Sequence, residues 1–157
     1  MRIVGETKIN DVDVLFHPEK FPGMFTNDDY FSDLKMGNFI DLRAAETIVM
    51  KAGDFKLIPL GISVKLPDRY WAQVVPRSST FKKYGIIMTN SFGVIDNTYC
   101  GNDDIWMFPA YALRDTTIPV NDRICQFRIV EDNEIEIHYV RELNGPNRGG
   151  FGSTGTI

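Results

Sequence analysis

Ile62-Ser63-Val64-Lys65-Leu66-Pro67-Asp68-Arg69-Tyr70-Trp71-Ala72-Gln73-Val74-Val75 is the stretch on which the fold class turns. Its first five residues alternate apolar Ile62, Val64 and Leu66 with polar Ser63 and Lys65, which puts successive side chains on opposite faces of an extended chain. Leu66-Pro67-Asp68-Arg69 then reads as a turn, and Tyr70 through Val75 as a second strand. The same period returns downstream. Cys125, Phe127 and Ile129 alternate with Gln126 and Arg128, and Ile135, Ile137 and Tyr139 alternate with Glu134, Glu136 and His138. All are predicted to be half-buried strands. Breaks at 51–54, 120–122 and 131–133 recur at the close spacing of a sandwich or barrel, so the expectation is an all-β domain.

Helical signals are few. Ser79 through Tyr84 is predicted to form one short helix, capped by Ser79 or Thr80 and closed by Gly85. Residues 10–36 break every period at His17-Pro18, Phe21-Pro22-Gly23 and Asn27-Asp28-Asp29. Phe16, Phe21, Met24, Phe25, Tyr30 and Phe31 make the segment too aromatic for a disordered linker, so it reads as an ordered loop or short helix packed on the core or on a neighbouring subunit.

With 157 residues and 43% hydrophobic content the chain fits one domain with one core. A formal charge of -4 argues against nucleic acid or an anionic membrane as partner, both of which favour clustered Lys and Arg. Cys100 and Cys125 form no CxxC pair, which disfavours zinc and a disulfide framework. No stretch reaches the length of a signal core or membrane span, and a cytoplasmic protein is expected.

Three segments carry residue types suited to chemistry. The tail from Arg148 to Gly155 joins a cation, Phe151, the hydroxyls of Ser153 and Thr154, and glycines including Gly152 that allow close backbone approach to an anion. It reads either as a phosphate grip with a stacking ring or as a loose glycine-rich terminus. Pro76-Arg77-Ser78-Ser79 at a strand end reads as a phosphate contact or as an ordinary capped turn. In Asn90 through Gly101, which looks like a β-hairpin, Asp96 is a candidate base, ionised at neutral pH, or a turn-forming aspartate.

Taken in order, Asp41-Leu-Arg-Ala-Ala, Pro76-Arg-Ser-Ser, Asn90 through Gly101, Asn121-Asp-Arg-Ile-Cys-Gln126 and Arg148 through Gly155 resemble the five motifs of the trimeric dUTP pyrophosphatases (dUTPases), most of all those of Gram-positive bacteria and their phages. The resemblance runs from about residue 37 to the C-terminus. It implies a distorted β jelly roll, the dUTPase-like β-clip, with residues 1–143 as catalytic domain, 10–36 as an inserted loop and 144–157 as a flexible C-terminal arm. It implies a homotrimer whose active sites draw motifs from three subunits, and hydrolysis of dUTP to dUMP and pyrophosphate with Mg2+.

The same resemblance assigns the site. Asp96 is the general base for water attacking the α-phosphorus. Tyr99 lies under the sugar and excludes a 2′-hydroxyl. Asn90 and the backbone of Gly93, Val94 and Ile95 read the uracil edge. Arg77, Ser78, Ser79 and Gln126 form the rigid half of the phosphate clamp, with Arg148, Gly152, Ser153 and Thr154 in the mobile half. Asp41 serves the metal through water. Three departures stand out. Arg148 is two residues closer to Phe151 than in the family's Arg-Gly-x-Gly-Gly-Phe; Phe92 rivals Phe151 as the uracil lid; and Asn102, followed by Asp103-Asp104, stands where Glu is frequent. The alternatives on this fold are a dCTP deaminase, which needs a glutamate at the base site whereas none occurs between Glu46 and Glu131, and a phage regulatory role with an unidentified protein partner.

Overall fold

The computed structural model describes residues 11–32, 34 and 37–155; residues 1–10, 33, 35, 36, 156 and 157, including parts of the inserted loop and the arm's end, lie outside the described residues. Strands β1 (Asp13–Phe16), β2 (Ile40–Arg43), β3 (Ile48–Met50), β4 (Phe55–Pro59), β5 (Ile62–Lys65) and β6 (Tyr70–Pro76) precede β7 (Ile86–Met88), β8 (Gly93–Ile95), β9 (Met107–Ala112), β10 (Thr116–Ile118) and β11 (Arg123–Glu131). All ladders are antiparallel, in sheets ordered β2-β11-β6-β8, β4-β9-β7, β1-β5 and β10-β3. This is the distorted jelly roll expected.

Alternation produces the layers. Phe108, Ala110 and Ala112 of β9 point inward while Met107 and Tyr111 point out, and in β6 Ala72 and Val74 are buried. The core gathers Trp106, Phe108, Leu42, Ile58, Leu60 and Ile124, each worth about 1.5–3 kcal/mol once removed from water. Trp106 and Phe127 meet edge to face at 5.2 Å.

Four expectations are corrected. Among the described residues there are two short helices rather than one, α1 (Asn27–Tyr30) in the insert and α2 (Thr80–Tyr84). Neither Ser79 nor Thr80 caps α2 through its side chain, although Gly85 does end it at a left-handed φ of 64°. Residues 132–140 form no strand: among the described residues no ladder includes them, and Ile135 is 77% and Tyr139 96% exposed. Residues 90–101 are not a hairpin but one short strand, β8, which pairs with Ala72, Gln73 and Val74 of β6 and continues into turns.

The insert packs on its own chain's core. Tyr30 is buried, its ring edge-on to Phe16 and Phe31, and its hydroxyl donates to Leu60 O at 2.8 Å while accepting from Arg43 N at 3.0 Å. β1 pairs with β5, so Ser63, on the polar face in the sequence pattern, is covered. At Gly61, with φ of 74°, a Cβ would come within 2.9 Å of Met24 and Ala45, so this contact admits only glycine.

Candidate active site

Asp41 on β2, Gln126 on β11 and Val75 on β6 lie in one row across the central sheet, and Arg77 follows two residues after Val75. Arg77 Nε is 3.1 Å from Asp41 Oδ1, and Arg123 Nη1 is 3.5 Å from Asp41 Oδ2. Both oxygens of Asp41 thus face guanidinium groups. The loop holding Arg77 is fixed from beneath. Thr80 Oγ1, buried, accepts from Arg77 N at 2.9 Å and donates to Ile124 O at 2.7 Å, while Arg77 Nη1 donates to Arg123 O at 3.3 Å. Asp41, Arg77, Ser78 and Gln126 line a polar cavity of about 400 Å³, with Asn38 and Phe39 at its side. Ser79 sits next to this loop as the residue before α2.

Neighbouring Cys125 is fully buried, and burial, with the nearby Asp41 charge adding, pushes its thiol pKa well up, so it contributes no thiolate at neutral pH.

A second, more apolar cavity of about 480 Å³ opens at the other edge of that sheet. Asn90, Gly93, Val94, Ile95, Asp96 and Tyr99 all line it. β8 is an edge strand, so one side of its backbone is bonded to β6 and the other, among the described residues, joins no ladder and leaves its N–H and C=O groups as a ready pattern for reading a planar polar ligand. Asp96 combines both readings of its residue. Oδ1 accepts from Thr98 N at 3.1 Å and its carbonyl from Tyr99 N at 3.0 Å, making a turn, yet the side chain stays exposed on the cavity rim. Asp96 is the sole carboxylate among the lining residues.

Phe92 does not line this cavity, and it is 45% exposed beside it in sequence. Arg148, Phe151, Gly152, Ser153 and Thr154 line neither cavity. The tail makes its own turn instead, with Gly150 N donating to Ser153 Oγ at 2.7 Å and Ser153 N to Gly150 O at 2.9 Å. So the chain brings together Asp41, Arg77, Ser78 and Gln126 in one place and Asn90 through Tyr99 in another, and brings the tail to neither.

Five contributors escape a reading by residue type. Arg123 lies between Asn121 and Gln126 with no role evident from its type, and β11 sets it beside Asp41. Thr80 could be valued only once Ile124 was known to lie beneath it. Leu57, Met107 and Pro109, which wall the second cavity from β4 and β9, announce themselves only as outward apolar residues on otherwise alternating strands.

A dUTPase family model matches residues 39–155. Over 124 residues the chain is 55% identical to the SPbeta prophage-derived deoxyuridine 5'-triphosphate nucleotidohydrolase of Bacillus subtilis (strain 168), covering 78% of this chain and 87% of that one. It is 38% identical over 122 residues to the deoxyuridine 5'-triphosphate nucleotidohydrolase of Finegoldia magna, covering 74% and 83%. Among solved structures, a Staphylococcus bacteriophage 80alpha dUTPase with dUpNHpp superposes with a TM-score of 0.70 at 20% identity, over 94% of this chain and 100% of that one. A dUTPase of phage phi11 of S. aureus, whose structure describes the coordination of a structural Mg(II) ion, gives 0.69 at 18% identity, over 87% and 100%. Sequence and fold agree: the chain belongs to the dUTPase family.

Proposed function

We propose that the protein hydrolyses dUTP to dUMP and pyrophosphate as a homotrimer whose active sites are each assembled from different subunits. The observation that carries this reading is the division of the site within one chain. Asp41 and Asp96 are three strand spacings apart across the sheet and about four residues apart along it, on the order of 15–20 Å. A single nucleotide is then served best by the polar cavity of one subunit facing the nucleoside cavity of another. An outward apolar row supports such contact: Phe55, Tyr111 and Ile87 sit side by side on the β4-β9-β7 sheet, whose Leu57 and Met107 continue into the nucleoside cavity.

In this site the uracil edge meets Asn90 and the unpaired backbone side of Gly93, Val94 and Ile95. Cytosine presents the opposite polarity and leaves buried groups unpaired, at about 1–3 kcal/mol each. The Tyr99 ring lies beneath the sugar and fills the space of a 2′-hydroxyl. Arg77, Ser78, Ser79 and Gln126 hold the phosphates, and Asp96 takes the proton of the attacking water as the new P–O bond forms and the bond to pyrophosphate breaks. Arg148, Gly152, Ser153 and Thr154, on the arm of residues 144–157, close over the leaving phosphates, with Phe151 or Phe92 covering the base.

Mg2+ fits this donor set: among the described residues no cluster of His, Cys, Asp or Glu offers a cage, and a hard cation on a triphosphate needs only phosphate oxygens, water and an outer carboxylate. Asp41 would hold it through water, and the ion would neutralise charge building on the phosphates. No described helix is long and apolar enough to cross a membrane, both cysteines are free thiols, and we assign the reaction to the cytoplasm.

The test is pyrophosphate release from dUTP, dCTP, dTTP and UTP, with Mg2+ or chelator. dUTP is expected to be preferred, chelator to suppress turnover, and Asp96→Asn to lower kcat by about 10²–10⁴. Equal use of dCTP, or full turnover by the variant, would sink the assignment.

A further inference from the structure

The segment before residue 39 lies ahead of the family match, and Asn102-Asp103-Asp104 occupies the turn after Tyr99. They touch. His17 and Ser63 are each only 4% exposed, and His17 Nε2 lies 2.8 Å from Ser63 Oγ. Ser63 donates its one hydroxyl proton to Asn102 O at 3.2 Å, so in this chain of bonds Nε2 of His17 is the donor to Ser63 Oγ. At its other end the imidazole faces Glu19 Oε1 at 3.3 Å, and the His17 backbone N–H bonds Gly61 O at 3.0 Å. Three residues on, Lys20 Nζ reaches Asp103 Oδ1 at 3.0 Å.

The turn gripped in this way is flanked by two residues of the nucleoside cavity. Tyr99 and Ile105, at its two ends, both line that cavity, and Tyr99 Oη donates to Ile105 O at 3.3 Å. Between them Gly101 N donates to Asp104 Oδ2 at 2.8 Å and Asp104 N to Gly101 O at 3.1 Å. A turn this short and this internally bonded shifts as one body, so displacement at Asn102 or Asp103 reaches the Tyr99 ring. Anchorage of the insert does not need these bonds, because the β1-β5 ladder and the buried Tyr30 already provide it.

We propose that His17 and Lys20 are positioning residues for the substrate: acting through Ser63 and Asn102 and through Asp103, they set the Tyr99 ring against the sugar and so sharpen the choice of deoxyribose over ribose. This rests on the dUTP reading given above. It adds to that reading two residues from a segment the family match does not contain.

The experiment is steady-state kinetics of the full chain with dUTP and UTP for Ser63→Ala, His17→Leu, His17→Gln and Lys20→Ala. Loss of the His17–Ser63 and Ser63–Asn102 bonds in Ser63→Ala, or of the His17–Ser63 bond in His17→Leu, is expected to raise KM for dUTP about two- to tenfold, with kcat held within about twofold, and to lower the dUTP to UTP ratio of kcat/KM. His17→Gln, whose amide N–H can still donate to Ser63 Oγ, is expected to recover most of the loss. Lys20→Ala removes only an exposed pair and leaves the core untouched, so it reports even where a buried variant fails to fold. Its KM shift is expected to be up to about fivefold and to vanish in high salt. An active wild type with unchanged KM and unchanged sugar ratio in Lys20→Ala and in folded Ser63→Ala overturns the inference alone, as does a loss confined to kcat. A wild type that does not turn over dUTP overturns the reading beneath it as well.

Discussion

Asp96 and Thr80 illustrate what a single residue's type does and does not disclose. Asp96 carries a turn bond to Thr98 N and lines a cavity at once, so a structural and a chemical role, which compete in the sequence, coexist in the fold. Thr80 reads in sequence as a helix cap, and its hydroxyl does something else: it ties Arg77 N to Ile124 O, a residue 44 positions away. No local pattern contains that partner. Because the site is buried, Thr80→Val strands one donor and one acceptor, and we expect a loss of about 1–3 kcal/mol in urea unfolding together with a weaker hold on substrate phosphates, seen as a raised KM for dUTP. Unchanged stability would mean that Arg77 N and Ile124 O find other partners.

At the scale of elements, period-two alternation was legible along β5 and β11, each of which has a partner within the chain. It misled at Ile135, Ile137 and Tyr139, where the pattern is as regular but no ladder among the described residues includes it. Periodicity reports which face a strand would bury, not whether a ladder exists to bury it. The insert was the reverse case. Its Gly and Pro residues hid β1, although its aromatic content announced that it packs and a short helix there was one of two readings, which α1 meets. Tyr30 gives that packing a pH signature. Burial pushes its phenol far above the ordinary tyrosine value, which means that the fold favours the neutral form. The stability this contributes is complete below about pH 10, the unfolded value, and is lost progressively as pH rises above it. Tyr84 and Cys125, also raised by burial, act in the same direction. Tyr30→Phe should therefore be less stable at pH 8, by about 1–3 kcal/mol for the unpaired Arg43 N–H, and should lose less further stability between pH 10 and 11. Parallel pH curves for the two proteins in urea titrations would contradict this.

At the scale of the molecule, one chain leaves unfinished both its surface and its chemistry. Ile135, Tyr139 and Leu143 on the tail and the Phe55, Tyr111 and Ile87 row on the body are all exposed, and the motifs divide between two cavities and an arm that reaches neither. The proposed trimer would resolve both conditions with the same contacts, which predicts a solution mass of about three times 17.9 kDa. Mass alone does not say whether sites are shared, but complementation does. Asp96→Asn retains its arm and lacks the base; a chain truncated before Arg148 retains the base and lacks the arm. Each alone should be folded, trimeric and inactive. Refolded together in equal amounts, they place an intact Asp96 and an intact arm from different chains at roughly a quarter of the sites, so about a quarter of wild-type turnover should return. If base and arm instead belonged to the same chain, no mixture could regain activity, and the assembly of the site between subunits would have to be abandoned while the assignment of Asp96 still stood.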